Sequence, residues 1–389
     1  MSIRKRPNIF RGINVERLLD LIPILIALFA AFIVASFLLI ALDANPITAF
    51  SAMFEGAFGS QNATAETLVK ATPILFVAIG ITIAFRGGVI NIGGEGQMIA
   101  GALGAITVTL MIGESLNWLV IPLALFAGFI AGGIYGGIAG FLKAYFDVNE
   151  ILSTIMLNQI AVQLMNFLLN GPLLDPESGG FNNIPKTARI SEVAQLPRLA
   201  IFDFFSRTRL HYGLIIAIII AIIIYVLLWR TTIGYRIRAV GLNQRASRYA
   251  GINVERQIVL SMFLAGGMAG LAGAVQVLGL NYRLQTDGSP AGFTANAGFN
   301  GIVAALFGGL NPLGAIPAST FFGALLVGAQ KMQREVGVPA SMITAINGLI
   351  VVFVVSSQIF ILRRTRRRVG EAIGQMDDNH TEKLKEGEN

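Results

Sequence analysis

The sequence predicts an all-α integral membrane protein, a bundle of about ten transmembrane helices with short discontinuous segments in each half. Two observations predict this fold class. Of the 389 residues, 54% are hydrophobic and only 13% are charged, about half the charged share of a soluble globular chain. Apolar runs of 18 or more residues recur along the chain, and that length crosses the hydrocarbon as a helix. A β-barrel would show short alternating segments instead.

Ten apolar segments follow one another along the chain, with boundaries good to a few residues. The eighth is too short for a full span at 1.5 Å per residue, so we expect a half-helix or a re-entrant segment there. The first exceeds the apolar region of a secretory signal, and we interpret it as an uncleaved anchor. The ten are Leu18–Leu42, Ala65–Phe85, Val89–Ile112, Trp118–Leu142, Ile151–Asn170, Tyr212–Trp229, Gln257–Gly279, Gly298–Leu310, Leu313–Gln330 and Ala340–Leu362.

The distribution of positive charge predicts the orientation. With the N-terminus inside, 20 of the 29 Lys and Arg residues lie in cytoplasmic segments and 9 lie outside, as the positive-inside rule requires. We therefore attribute the net charge of +7 to the positive residues on the cytoplasmic side of the membrane and not to nucleic-acid binding. The predicted organisation is a cytoplasmic segment 1–20, a transmembrane domain 21–362 with an exterior loop 171–211 and a cytoplasmic loop 230–256, and a disordered cytoplasmic tail 363–389.

Several kinds of catalytic chemistry lack the residues they need. The sequence has no cysteine and two histidines, His211 and His380, which argues against thiol catalysis, disulfides and histidine metal sites. It has no Gly-Lys dipeptide, so a phosphate-binding Walker A loop is missing. No Ser-His-Asp arrangement stands out. We expect no cofactor and no ATP site in this chain.

The segment Arg86–Met98 combines five glycines with Asn91, Glu95 and Gln97 inside an apolar region. Glycines at this density loosen a helix, and free backbone groups persist in lipid only when buried in protein or lining a wet cavity. An acidic side chain at membrane depth marks a pathway or a site by default. The alternative interpretation is a glycine packing seam with a neutral, hydrogen-bonded Glu95.

Amide side chains line one face of the fifth apolar segment. Gln159, Gln163, Asn166 and Asn170 recur at helical spacing, with Asn158 beside them. Amides offer both donors and acceptors, which suits neutral ligands with several hydroxyls or a heterocycle better than ions. Hydrogen bonding between helices is an equally good explanation.

A second glycine-interrupted stretch lies in the other half of the chain, over Ala291–Ile302 and Phe307–Gly314. One such segment in each half is typical of a binding site near the midplane of a transporter. Phe293 and Phe299 have rings that can stack on a base or a sugar, although phenylalanines in such segments more often pack in the core or face lipid.

The longest cytoplasmic loop contains a predicted short helix. Asn243 is typical of a helix N-cap and Gly251 of a helix stop, with small residues between arginines in the turn they enclose. A short exposed helix on the inner face has the shape needed to dock into a partner. The alternative is a basic loop held near anionic lipid.

Five stretches together resemble the branched-chain amino acid and simple-sugar class of ABC transporter permeases. Within that class they are similar to the nucleoside-type permease that works with a basic-membrane-protein lipoprotein. The resemblance covers roughly residues 65–356. The stretches are Phe85–Gln97, Asn149–Asn158, Gly234–Asn243, Tyr249–Val254 and Gly298–Gly309.

The resemblance implies the permease subunit of an ATP-driven importer for nucleosides in a prokaryotic cytoplasmic membrane, with membrane lipid around it. It implies ATP-binding cassette subunits that bind and hydrolyse the ATP, a second related permease and an external substrate-binding lipoprotein. Asn300 stands where this class often has Asp, which favours a neutral ligand. Substrate contacts are expected from Asn91, Glu95, Gln97, Asn158, Gln159, Phe299 and Asn300. ATPase coupling is expected from Asn243, Arg245, Ala246, Ser247, Tyr249, Ala250 and Gly251.

Other functions fit parts of the pattern. A permease for simple sugars is the nearest alternative. A secondary transporter driven by protons or sodium would use Glu95 as its titrating group. A membrane enzyme or scaffold is disfavoured, because no nucleophile with a nearby base is visible.

Overall fold

A computed structural model describes residues 22–113, 117–176, 184–199, 208–285 and 289–339, with scattered positions between 342 and 356. The predicted segments 1–20 and 363–389, and most of the tenth apolar segment, lie outside these residues. The described residues form no β-strand and contain two isolated bridges. The predicted all-α class is confirmed.

The helices are numbered here in chain order. They are α1 (Ile22–Ile40), α2 (Pro46–Phe58), α3 (Gln61–Arg86), α4 (Gly94–Ile112), α5 (Val120–Phe146), α6 (Glu150–Leu169), α7 (Gly213–Arg230), α8 (Thr232–Leu242), α9 (Gln244–Tyr249), α10 (Val254–Gln276), α11 (Pro290–Thr294), α12 (Ala297–Phe307) and α13 (Pro312–Val336).

Seven helices in the described part of the chain are long and apolar enough to cross a membrane, namely α3, α4, α5, α6, α7, α10 and α13. The predicted eighth segment is indeed short, because α12 has only 11 residues. The predicted third segment starts as a helix only at Gly94, since Gly88 has a φ of 75° and residues 88–93 are not helical. The helices α2 and α8 were not predicted from the sequence.

The described residues divide into two compact units. The described residues between 47 and 337 form one unit, and α1 belongs to the other. In α1 the Ser36 hydroxyl donates to the Phe32 carbonyl at 2.7 Å, one turn earlier. This bond satisfies a polar group inside an apolar helix.

The centre of the larger unit is formed by α3 and α10, whose residues are mostly buried. Helix α10 packs against α5, α4 and α3, and α3 also packs against α13 and α12. Both helices are apolar on nearly every side, which is typical of helices surrounded by other helices. The remaining long helices surround this pair.

Small residues allow α5 and α10 to touch through their backbones. Gly128, Gly132 and Gly136 recur every four residues along α5, opposite Gly266 and Gly270 of α10. A Cβ added at Gly132 would lie 2.5 Å from the Gly266 carbonyl oxygen and 2.6 Å from the Gly270 Cα. This is the close glycine packing by which membrane helices associate without a hydrophobic driving force.

The exterior loop is attached to the end of α10. Helix α10 continues into a π-helical turn over Val277–Asn281. The Thr187 amide donates to the Leu284 carbonyl at 2.9 Å, and the Ile190 amide donates to the Tyr282 carbonyl at 2.9 Å. The described part of the exterior loop is therefore hydrogen-bonded to the backbone that follows α10.

Candidate functional site

The two glycine-interrupted stretches, one from each half of the chain, meet in the fold. The start of α4 lies against the start of α12, and a Cβ added at Gly94 would lie 3.1 Å from the Gly298 Cα. Both helices begin at this point, after irregular backbone. The two stretches that the sequence indicated therefore lie together, and a binding site at their junction stays a prediction.

Asn91 and Gln97 brace the loop before α4. The Asn91 Nδ2 donates to the Gln97 Oε1 at 2.9 Å, and the Gln97 Nε2 donates to the Asn91 Oδ1 at 3.0 Å. The Gly93 amide also donates to the Asn91 Oδ1, at 2.9 Å. The two side chains are only 1% and 2% exposed. Their polar groups are used within the chain, and a contact with a solute stays a prediction for both.

Asn158 connects α6 to the same loop. Its Oδ1 accepts from the Gly96 amide at 2.8 Å, and its Nδ2 donates to the Ile92 carbonyl at 3.0 Å. The Gly96 amide belongs to the first turn of α4, where amides have no partner within the helix. Asn158 thus satisfies two backbone groups that the irregular loop leaves open.

Glu95 caps α12 from another helix. Its Oε1 accepts from the Phe299 amide at 3.1 Å. The N-cap residue of α12, Asn296, has a φ of 59° and provides no side-chain cap. A carboxylate at this position satisfies an orphan amide and interacts favourably with the positive end of the helix dipole.

The second carboxylate oxygen of Glu95 makes no hydrogen bond to the described part of the chain. This oxygen, Oε2, is buried. The Thr294 side chain and the Gly298 amide also donate hydrogen bonds to this carboxylate. The Phe299 side chain is 55% exposed, and Asn300 is half-buried. A buried carboxylate oxygen without a partner is costly. The arrangement therefore offers one strong acceptor for an O–H or N–H donor.

Two other aromatic or amide residues that the sequence singled out do not join the Glu95 cluster as open ligand contacts. Gln159 is exposed on α6 and lies outside the Glu95 cluster. Phe293 is 4% exposed, so its ring belongs to the core and is not open to a ligand. Thr294, which no sequence pattern indicated, donates a side-chain hydrogen bond to Glu95. Only its place within the glycine-rich stretch could have suggested it.

The amide stripe of α6 faces away from the rest of the chain. Gln159, Gln163 and Asn170 are exposed, and Asn166 is half-buried. The Asn166 Nδ2 donates to the Gln163 Oε1 at 3.4 Å, and the Asn170 Nδ2 donates to the Asn166 carbonyl at 2.8 Å. The stripe therefore presents donors and acceptors on the outer surface of an apolar helix.

The short helix of the 230–256 loop has the predicted form. Asn243 caps α9 by accepting from the Ala246 amide at 3.0 Å, and Gly251 follows the helix with a φ of 77°. Tyr249 is 94% exposed, whereas Ser247 is 4% exposed. The residues Arg245, Ala246 and Ala250 are also exposed.

The chain matches the family described as branched-chain amino acid transport system / permease component over residues 63–355. It is 34% identical over 357 residues to a guanosine ABC transporter permease protein of Bacillus subtilis, covering 91% of this chain and 99% of the relative. A glucose ABC transporter permease protein of Haloferax volcanii is 32% identical over 357 residues, 90% of each chain.

A third relative is a nucleoside ABC transporter permease protein of Lactococcus lactis. It is 32% identical over 339 residues, covering 86% of this chain and 90% of the relative. No solved structure gives a significant match. The family match includes both glycine-rich stretches and α9. This chain belongs to the branched-chain amino acid transport system family of ABC transporter permease components.

Proposed function

We propose that the chain is the permease subunit of an ABC importer and that it moves nucleosides across the cytoplasmic membrane. The observation that carries the binding of a solute with hydroxyl or N–H donors is Glu95 Oε2, a buried acceptor without a partner among the described residues at the junction of α4 and α12. A nucleoside brings ribose hydroxyls and base N–H groups, which are the donors that this oxygen needs. Two of the three relatives named above are permeases for guanosine or nucleosides.

Phe299 adds a second element of recognition. Its side chain is 55% exposed while its amide is held by Glu95, so the backbone that carries the ring is fixed beside the carboxylate. An aromatic face suits a heterocyclic base by offset stacking. Asn300, next along α12, supplies amide groups and no charge, which suits a neutral ligand.

A sugar is the second candidate substrate, because one relative is a glucose permease. A sugar offers hydroxyl donors to Glu95 Oε2 just as ribose does. It lacks the aromatic base that Phe299 would stack on. The two candidates therefore differ mainly in how much they depend on Phe299.

The complete transporter requires other subunits. ATP-binding subunits, which bind and hydrolyse the ATP, would dock on α9, where Tyr249 is 94% exposed. A second, related permease would cover the exposed amides of α6, since polar side chains on a membrane helix face protein or a water-filled passage. A substrate-binding lipoprotein would deliver the nucleoside from outside.

Uptake measurements test the substrate class. In cells that express the chain with its own partner subunits, we expect labelled guanosine to accumulate and unlabelled nucleosides to compete, while glucose and free ribose do not. Uptake into right-side-out vesicles should need ATP inside the vesicles and be insensitive to ionophores. Accumulation of glucose but not guanosine would show that the substrate is a sugar and not a nucleoside. Ionophore-sensitive uptake without ATP would exclude the ABC mechanism.

The variant Glu95→Gln tests the site. The Gln side-chain oxygen can still accept from the Phe299 amide, so the fold should persist. Its NH₂ group would stand where Oε2 was, so a donor group of the solute would lose its acceptor. We expect the KM for guanosine to rise about tenfold or more, the usual cost of losing a hydrogen bond to a charged group. Glu335→Gln is the matched control, because Glu335 is paired with Lys331 at the far end of α13. If the Glu95→Gln protein inserts correctly and its KM is unchanged, Glu95 does not belong to the binding site.

A further inference from the structure

A groove lies beside the base of α9 and is not part of the site at Glu95. It has a volume of about 710 Å³ and is bounded by α8 and by the start of α10 with the loop before it. One wall includes Tyr235 and Arg236, and the other includes Arg256 and Gln257. Helix α8 buries Gly234, Ile237 and Val240 and leaves its other face exposed, which keeps the groove open.

The groove carries uncompensated positive charge. Arg236 and Arg256 line its two walls, and neither has an ion-pair partner within the described part of the chain. The only acidic residue of the 230–256 loop is Glu255, and its carboxylate is paired with Arg248. Two arginines on facing walls make a strong anion-binding arrangement, particularly for phosphate.

The groove also needs a hydrogen-bond donor. Gln257 lines it and is only 6% exposed, and its Oε1 is buried without a hydrogen-bond partner in the described residues. A buried amide oxygen without a donor costs free energy. An occupant with a hydroxyl group near its phosphate would satisfy the arginines and Gln257 together.

Apolar side chains next to these charges indicate where the occupant comes from. Ile233 is 46% exposed and Tyr235 is 61% exposed, and Leu260 completes the wall toward α10. An amphipathic helix with apolar and basic residues at a membrane surface favours contact with lipid, and basic pockets between membrane helices bind anionic headgroups. A soluble phosphate ester would gain nothing from these apolar side chains.

We propose that this groove binds the headgroup of an anionic phospholipid whose phosphate is followed by free hydroxyls, as in phosphatidylglycerol. The phosphate lies between Arg236 and Arg256, a headgroup hydroxyl donates to Gln257 Oε1, and the acyl chains extend along Ile233 and Leu260. The bound lipid then supports the backbone at Ala250 and Gly251, which also line the groove, directly after α9.

Native mass spectrometry of the full-length chain tests this proposal. The purified protein is titrated with phosphatidylglycerol or with phosphatidylcholine of the same acyl chains. We expect one phosphatidylglycerol to remain bound, and to bind about thirtyfold more weakly to the double variant Arg236→Gln/Arg256→Gln, as expected for two arginines near an anionic lipid. The variant Gln257→Leu should lose most of its preference for phosphatidylglycerol over phosphatidic acid, which has no headgroup hydroxyls.

The matched control is the double variant Arg230→Gln/Arg245→Gln, which removes the same charge from exposed arginines outside the groove. It should bind the lipid as the wild type does. Equal weakening in both double variants would show general surface attraction and overturn the proposal. Displacement by millimolar glycerol phosphate would show a site for soluble phosphate esters. Loss of the lipid from the complex assembled with its ATPase subunits would show that a protein occupies the groove.

Discussion

At the scale of single residues, the structure gives several polar side chains a definite task. Asn91, Gln97 and Asn158 satisfy one another or nearby backbone groups, whereas one oxygen of Glu95 has no hydrogen-bond partner among the described residues. Polar residues of one short stretch thus differ in how far the chain itself satisfies them. His211, at the end of the exterior loop, is a buried ionisable side chain.

His211 is 3% exposed, and its Nδ1 accepts from the Gly213 amide at 3.1 Å. Gly279 lies against the imidazole, and a Cβ there would come within 2.7 Å of two ring carbons. Burial lowers the pKa of His211 to about 4. The imidazole is therefore neutral in the folded protein at neutral pH.

The stability of the protein should fall on acidification because of His211. The folded pKa, about 4, lies below the unfolded value of about 6.5, so the unfolded state binds more protons between these values. The free energy of unfolding then decreases as pH falls from about 6.5 to about 4, by at most about 1.4 kcal/mol per pH unit. Thermal unfolding of His211→Asn, which keeps an acceptor for Gly213, should lose less Tm between pH 7 and pH 5 than the wild type. An equal loss in both proteins would contradict this.

The sequence indicated which polar residues lie in the glycine-rich stretch but not the groups to which they bond. Glu95 was recognisable as an acid in an apolar segment, but its bond to the Phe299 amide joins residues 204 positions apart. No local pattern encodes such a contact. The reciprocal bonds of Asn91 and Gln97 depend on non-helical backbone at residues 88–93, where helical spacing does not apply. Pattern arguments therefore identified this stretch and could not assign each side chain its role.

At the scale of helices, periodicity identified the long segments and missed the shorter ones. The apolar runs correspond closely to α3, α5, α6, α7 and α13. The helices α2 and α8 have 13 and 11 residues with mixed polarity, so neither length nor hydropathy distinguishes them from loops. The cap residues of α9 were nevertheless predictable, because Asn243 and Gly251 act through local backbone geometry.

The contact between α5 and α10 should be intolerant of a single methyl group. Gly132→Ala would place a Cβ 2.5 Å from the Gly266 carbonyl oxygen, so the two backbones must separate. We expect a loss of about 1–3 kcal/mol, typical of overpacking, measured as a lower Tm of the protein in detergent. Gly137→Ala is the matched control on the same helix, because its Cβ would meet only Phe263 at 3.8 Å. Similar Tm values for the two variants would disprove the tight seam.

At the scale of the whole molecule, composition and charge determined the class before any residue was assigned a role. The predicted all-α membrane fold agrees with seven spanning helices in the described residues and with the family match over residues 63–355. The sequence also predicted short discontinuous segments in each half of the chain. The structure agrees at α4 and α12, where each helix begins inside the fold after glycine-rich backbone.

The predicted orientation can be tested with single cysteines, because the chain contains none. Glu192→Cys in the exterior loop and Arg245→Cys in α9 both replace exposed residues. We expect a membrane-impermeant maleimide to label Glu192→Cys in intact cells and Arg245→Cys only after permeabilisation, as the excess of Lys and Arg on the inner side requires. The reverse labelling pattern would show that the orientation is opposite to the predicted one.

The glycine contacts between α5 and α10 have a mechanical consequence. Where backbone meets backbone, no flexible side chain lies between the two helices to take up a displacement, so sliding one past the other would force main-chain atoms to collide. Helix α4 is joined to this pair in the same way, since a Cβ at Gly101 would collide with Gly270. The three helices therefore form a stiff frame, and movements that transport requires must be accommodated by parts of the permease that contact one another through longer side chains.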